Sequence, residues 1–268
     1  MAGPARAAGD ARIAALQVGL RAHGLYAGPV DGLDGPSTTA GVRSLQRRAR
    51  IGVDGVPGPR TRRALGRYGR HPLGTRLLAG GMHGWDVAAL QFELAWHGFP
   101  SGPIDGVFGR RTRGALRRFQ RWARLVADGR AGPATLASLA DPPPRAPLAL
   151  AWPVAGILGD RFGPRGDRFH AGIDLIAPYG APVVAAAPGR VTWAAPRDGW
   201  GLLVVVAHAD GVRTFYAHLS AVDVQLGSRV WTDTTLGAVG ATGDATGPHL
   251  HFEVRARGAC VDPLTALR

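Results

Sequence analysis

The 268-residue sequence has a single cysteine, Cys260, so a disulfide framework within the chain is excluded. It has no lysine either: the 32 basic side chains, set against 19 acidic ones for a net charge of +13, are all arginine. No apolar run reaches the roughly 18 residues that a membrane-spanning helix needs. The N-terminal stretch MAGPARAAGDARIAALQ lacks the apolar core of a secretory leader. Export would then rely on a segment outside this sequence or on another route. What the chain does contain is 46% hydrophobic residues with seven Trp and eight Phe, enough to bury real cores and to exclude a disordered tail. Forty Gly and 21 Pro without a collagen period predict many turns and linkers, and the length predicts two or three modules.

The positive balance favours an anionic partner. Nucleic acid, a phosphate-rich wall polymer and an anionic membrane surface all satisfy it, and arginine without lysine equally reflects a GC-rich genome. No nucleic-acid recognition motif stands in the sequence, so a nucleic-acid partner is not expected.

The first half is an internal repeat. At an offset of 74 residues, 14–65 align with 88–139 without a gap, and about 24 of the 52 positions are identical. The shared landmarks are Ala-Ala-Leu-Gln ending at Gln17 and Gln91, then His23-Gly24 and His97-Gly98, then Gly-Pro-x-Asp-Gly ending at Gly32 and Gly106. Gln46 and Gln120, Asp54-Gly55 and Asp128-Gly129, and Gly58-Pro59 and Gly132-Pro133 follow in the same order. Each copy reads as helix, turn, helix, turn, short helix. Ile13, Leu16 and Leu20 recur at helical spacing, as do Ala115, Leu116, Phe119 and Trp122, and both stripes are expected in a core. Gly24 suits a left-handed helix cap, and His23 and His97 are expected to be structural. The pattern resembles the three-helix peptidoglycan-binding domain found at the ends of many cell-wall hydrolases. That resemblance implies wall anchoring over 10–66 and 84–140, with no ligand residue singled out. Residues 67–83 read as a connector, and 141–150, with the run Asp-Pro-Pro-Pro-Arg-Ala-Pro, as a stiff linker.

From 151 to 268 the period changes. Short apolar runs at 183–187, 190–194, 202–208, 212–218, 236–239 and 250–255 are separated by Gly, Pro and Asp, which predicts an antiparallel β domain. Five of the nine histidines lie here, four of them in three motifs: His170-x-x-x-Asp174, Tyr216-Ala-His218 and His249-Leu-His251-Phe-Glu253. In a strand, residues two apart share a face, so His249 and His251 can point into one cleft while Leu250 and Phe252 pack behind. Two imidazoles suit a metal. His170 and Asp174 can supply further ligands, and three protein ligands with an open position for water suit zinc. His208 reads as a structural residue at a strand end. Tyr216 could share the face of His218 and assist, or equally be packing, Glu253 could orient a ligand imidazole or close a strand-end salt bridge, and Arg165 and Arg168 could hold an acidic substrate group or be solvated loop charges.

Phe162-Gly163, HAGID, APVVAAAPGRV, FYAHLS, GATGDATGPHLHFEVR and VDPL together closely resemble the lysostaphin/LytM-type zinc metalloendopeptidases of bacterial cell walls, over about 152–268. The resemblance implies Zn²⁺ held by His170, Asp174 and His251, with His218 and His249 as unligated catalytic histidines. The expectation is a multidomain α + β chain: two small three-helix bundles, then an antiparallel β-sheet metallopeptidase domain. Its implied role is a monomeric, extracellular, wall-associated endopeptidase acting on peptidoglycan, with anionic wall polymers as further partners. The alternative is a non-catalytic wall-binding regulator of another hydrolase.

Overall fold

A computed structural model of the protein describes residues 9–268; the first eight residues of the stretch read for a leader lie outside it. The chain divides into two compact units. One runs to Pro142 and takes in Pro164–Phe169; the other comprises Pro143–Gly163 and His170–Arg268.

The helical unit contains α1 (Ala11–Ala22), α2 (Pro36–Arg48), α3 (Pro59–Ala64), α4 (Trp85–Trp96), α5 (Arg110–Trp122) and α6 (Pro133–Leu139). This is the expected succession in each copy, and Pro36, Pro59 and Pro133 open their helices at the first-turn positions that tolerate a missing N–H. Four glutamines organise it. Gln17, Gln46, Gln91 and Gln120 are buried, and each side-chain Nε2 lies 2.6–3.2 Å from an Asp carboxylate, a backbone carbonyl and a Thr hydroxyl on the following loop and helix. Each Oε1 accepts the N–H of the Gly in the Asp-Gly pair, Gly32, Gly55, Gly106 or Gly129, all with φ between +71° and +80°. A side chain at these φ values is strained, which is why the loop needs glycine there. The 74-residue repeat is therefore itself two turns of one smaller motif, helix-Gln, Asp-Gly loop, helix-Thr.

Removing one such Gln should be costly, because Gly129 N–H and the Thr135 hydroxyl lose a buried partner. Gln120→Ala is expected to destabilise the helical unit by about 2–4 kcal/mol. Urea unfolding followed by circular dichroism checks this; a loss below about 0.5 kcal/mol would mean that the network is incidental.

The two three-helix bundles do not stand apart from one another. Leu16, Leu20, Val42 and Leu45 of the first share one buried cluster with Trp85, Ala88, Phe92 and Ile104 of the second. Nor is 67–83 a passive connector: it begins in a short 3₁₀ turn at Gly66–Gly69, and Leu78, fully buried, exchanges backbone hydrogen bonds with Ala131. Leu16, Leu20, Ala115, Leu116 and Phe119 are buried as expected, whereas Ile13 and Trp122 are half-buried. Gly24 and Gly98 take φ of +70° and +85° behind the helix caps His23 and His97. His97 has both ring nitrogens near backbone carbonyls, Glu93 O at 2.8 Å and Asp141 O at 3.0 Å, a structural role.

The second unit is antiparallel β. Its strands are β1 (Ile157–Leu158), β2 (Gly163–Arg165), β3 (Arg168–His170), β4 (Ile173–Ile176), β5 (Pro182–Val184), β6 (Gly189–Arg197), β7 (Gly201–Ala207), β8 (Val212–Val222), β9 (Arg229–Val230), β10 (Thr235–Val239), β11 (Leu250–Ala256) and β12 (Ala259–Val261), with β2 and β3 pairing as a hairpin whose residues 164–169 group with the helical unit. The main sheet runs β1-β4-β11-β8-β7-β6-β9, with β12 beside β11 and β10 bridging β8 to β5. The six expected runs map onto β5 to β8, β10 and β11; the shorter strands carry too few residues to show a period. The linker is shorter than 141–150. Leu150 is buried in the β core and pairs with the C-terminus, its N–H donating to Ala266 O and its carbonyl accepting from Arg268 N–H.

On the core face, His208 follows β7. Its Nδ1–H donates to Pro188 O (2.9 Å) and its Nε2 lies 2.7 Å from the Thr214 hydroxyl, which touches Tyr216 Oη. Only the neutral ring can accept at Nε2, and burial pushes the His208 pKa down against the opposing carbonyl contact. A base whose folded pKa is depressed contributes stability above its unfolded pKa, near 6.5, that is lost as pH falls through the folded value. Melting temperatures of the wild type are therefore expected to fall more steeply from pH 7 to pH 5 than those of His208→Gln; parallel slopes would remove this ring from the account.

Candidate metal centre and paired histidines

Four segments converge at one point of the sheet. Asp174 on β4 pairs directly opposite His251 on β11. That pairing depends on Gly172, where a Cβ would overlap the Phe252 carbonyl oxygen and crowd Glu253, so only glycine lets the HAGID segment lie this close to β11. His170 ends β3, and His249 precedes β11, its N–H donating to Gly240 O.

His170 Nε2 lies 3.1 Å from Asp174 Oδ1 and 3.0 Å from His251 Nδ1, and His251 Nδ1 lies 2.8 Å from the same carboxylate oxygen. The remaining nitrogens of both rings are occupied: His170 Nδ1–H donates to Arg161 O (3.0 Å), and His251 Nε2–H to Glu253 Oε1 (3.3 Å). Two ring lone pairs and a carboxylate thus face one point, an arrangement that is repulsive unless a positive charge sits there. Without a metal the charge is a proton. Burial disfavours it on His251, yet hydrogen bonds and charge from Asp174 and Glu253 outweigh burial and raise that pKa to about 9. Asp174 is likewise driven far below the carboxylate range, the two imidazoles overcoming its own burial. Ligands about 2.05 Å from a tetrahedral ion stand about 3.3 Å apart, close to the spacings here, so the donor set fits zinc.

Beside these lie His218 and His249, ring centroids 4.9 Å apart. His218 Nδ1–H donates to Thr242 O (2.7 Å) and His249 Nδ1–H to Gly247 O (2.8 Å), which leaves both Nε2 atoms as acceptors toward the cluster; His249 Nε2 is 3.8 Å from Asp174 Oδ1. Burial lowers the His218 pKa, against the Thr242 carbonyl contact, and so favours the neutral ring.

Tyr216 does not share this face. In β8 the chain advances three residues from Tyr216 to Leu219 where the partner β7 advances only two, a bulge that carries His218 at φ +61°. The extra residue shifts the alternation: His218 turns to the cluster, while Tyr216 is fully buried against Phe252 on the core side, its hydroxyl pushed up to about 12 by burial. His249 also stands outside the strand, so β11 itself contributes His251, Glu253 and Arg255 to the face, with Leu250 and Phe252 buried behind as expected. Glu253 meets two partners from the middle of β11: Oε1 lies 3.3 Å from His251 Nε2, and Oε2 pairs with Arg255 (2.7 Å), which lies over the Phe215 ring. Arg165 and Arg168 are exposed. Sequence reasoning assigned no role to Thr242, whose carbonyl fixes the His218 tautomer and whose hydroxyl ties Leu202 N–H to Leu219 O; its only signal was its place in the GATG run.

Residues 168–263 match Peptidase family M23, and 9–65 and 83–139 match the "Putative peptidoglycan binding domain" family. The C-terminal domain belongs to peptidase family M23. Over 98 residues, 37% of this chain, the M23 domain is 47% identical to the DD-carboxypeptidase/endopeptidase Mpg of Neisseria meningitidis and 38% identical to the peptidoglycan DD-endopeptidase ShyC of Vibrio cholerae. The chain spans about a quarter of the length of these curated relatives, 23% of each. Among solved structures, a zinc-containing peptidase from Vibrio cholerae is 33% identical over 44% of this chain and 40% of that one, with a TM-score of 0.42.

Proposed function

We propose that the chain is a zinc-dependent peptidoglycan endopeptidase that acts at the cell envelope and is held to its insoluble substrate by the N-terminal repeats. The observation that carries this reading is the convergence of His170 Nε2, Asp174 Oδ1 and His251 Nδ1 beside two histidines that both present a free Nε2. These three residues would hold the ion. Zinc, when bound, supplies Lewis-acid activation of the scissile carbonyl and of the attacking water.

The chain's own groups do the rest. One of His218 Nε2 and His249 Nε2 accepts the water proton and returns it to the leaving amine, while the other, having taken a proton from solvent at Nε2, donates to the oxyanion. Their fixed tautomers mean that neither ring must flip before it reacts. Glu253 and Arg255 hold the His251 ring in register, so a metal there meets a preset donor. The repeats raise the enzyme's local concentration on the wall without adding a catalytic contact.

The test is release of new amines from purified peptidoglycan by the full chain. Release is expected to stop with a chelator and return with zinc. Stoichiometric zinc with no release from several wall chemistries would favour the non-catalytic regulator instead.

A further inference from the structure

Within the helical unit a cleft of about 810 Å³ opens between the two copies of the repeat. Asp10, Arg12 and Arg62 come from the first copy, Leu73 from the segment between the copies, and Trp85 and Glu93 from the second. The 74-residue offset maps Ala11 onto Trp85 and Arg62 onto Leu136, and all four line it, so the cleft lies at the pseudo-symmetric seam and belongs to neither copy alone. Its size is that of a small-ligand site.

Of its polar groups Asp10 caps α1, its carboxylate accepting the Arg12 N–H at 2.6 Å. Glu93 stands where the first copy has Gly19, so the repeat has no need of an acid at this position. Among the described residues no hydrogen bond or salt bridge holds the half-buried Glu93 carboxylate or the half-buried Arg62 guanidinium, and the charge acting in favour of an ionised Glu93 is that of His97. Burial raises the Glu93 pKa, His97 opposes this, and the nearby Asp10 carboxylate raises it further. Two acids that disfavour each other's charge are relieved by a cationic group, and an arginine held partly out of water is relieved by an anion. The apolar wall of Trp85, Leu73 and Leu136 suits short side chains between the two.

We infer that this cleft binds a short zwitterionic peptide, its ammonium at Glu93 and Asp10 and its carboxylate at Arg62, with Arg12 at the rim. Resting on the proposed wall-binding role, this makes the ligand an uncross-linked stem peptide, which carries both a free amine and a free carboxylate. It also makes the site the joint product of the duplication.

The experiment is isothermal titration of the full-length His249→Ala chain, which leaves the probe uncut, with the synthetic tetrapeptide L-Ala-γ-D-Glu-diaminopimelyl-D-Ala. Saturable binding with one peptide per chain is expected, weakened at least tenfold by Glu93→Gln and by Arg62→Gln. Acetylating the peptide amines should weaken binding to the parent chain similarly and leave Glu93→Gln with little further loss. Should Arg62→Gln fail to fold, the acetylated peptide and the C-terminal amide give the same test on unaltered protein. Equal affinity in the parent and both variants, or no saturable binding at all, overturns the proposal. Sedimentation with purified sacculi separates the two readings: a chain that pellets with the wall but binds no peptide loses only this site, whereas one that does neither loses the wall-binding role as well.

Discussion

His251→Ala is expected to abolish both stoichiometric zinc uptake and hydrolysis. His251 Nδ1 is 3.0 Å or less from the other two proposed ligand atoms, so its loss would leave only His170 and Asp174 to face an ion. Mass-spectrometric metal analysis after dialysis should find less than about a tenth of the parent's zinc, because a site with two ligands lacks the three that zinc enzymes use. Glu253→Gln is a finer probe of the same centre. It keeps the shape but removes the charge that holds His251 Nε2–H, and zinc affinity should fall about 10–100-fold. If His251→Ala retained full zinc, the metal would have to sit elsewhere in the chain.

The second large effect separates binding from chemistry. His218→Ala and His249→Ala are each expected to keep the parent's zinc content and melting temperature while losing about 10²–10⁴-fold in rate, the range for removing a positioned proton-transfer group. Neither ring is a member of the three-ligand cluster, and each is anchored through Nδ1 to a backbone carbonyl, Thr242 O or Gly247 O, so the losses should fall on kcat. A variant that lost zinc in parallel with rate would instead be a ligand, and the division of roles proposed above would need redrawing.

Most of the candidate site was legible because its chemistry is concentrated in short motifs. The four-residue step from His170 to Asp174 and the two-residue step from His249 to His251 survive any uncertainty about where a strand begins. What failed were inferences that carried strict alternation too far. Tyr216 and His218 are two apart in one strand, yet the bulge between them places them on opposite faces, and nothing in the local sequence marks a bulge at a non-glycine residue. The repeat was legible at 74 residues but not at its half-period, since Gln17 with Thr38 and Gln46 with Thr61 are spaced differently, 21 and 15 residues. Only the shared hydrogen-bond pattern shows them to be equivalent. Likewise Leu78 and Leu150 fell in stretches whose Gly and Pro content reads as connector, and long-range partners, Ala131 and the C-terminus, decide their burial.

The most direct test of the central claim is digestion of purified peptidoglycan by the zinc-loaded parent beside His249→Ala, with mass spectrometry of the soluble fragments. The account expects new amine termini within the peptide cross-links from the parent and none from the variant. Identical fragments from both proteins, or cleavage confined to the glycan strands, would contradict it.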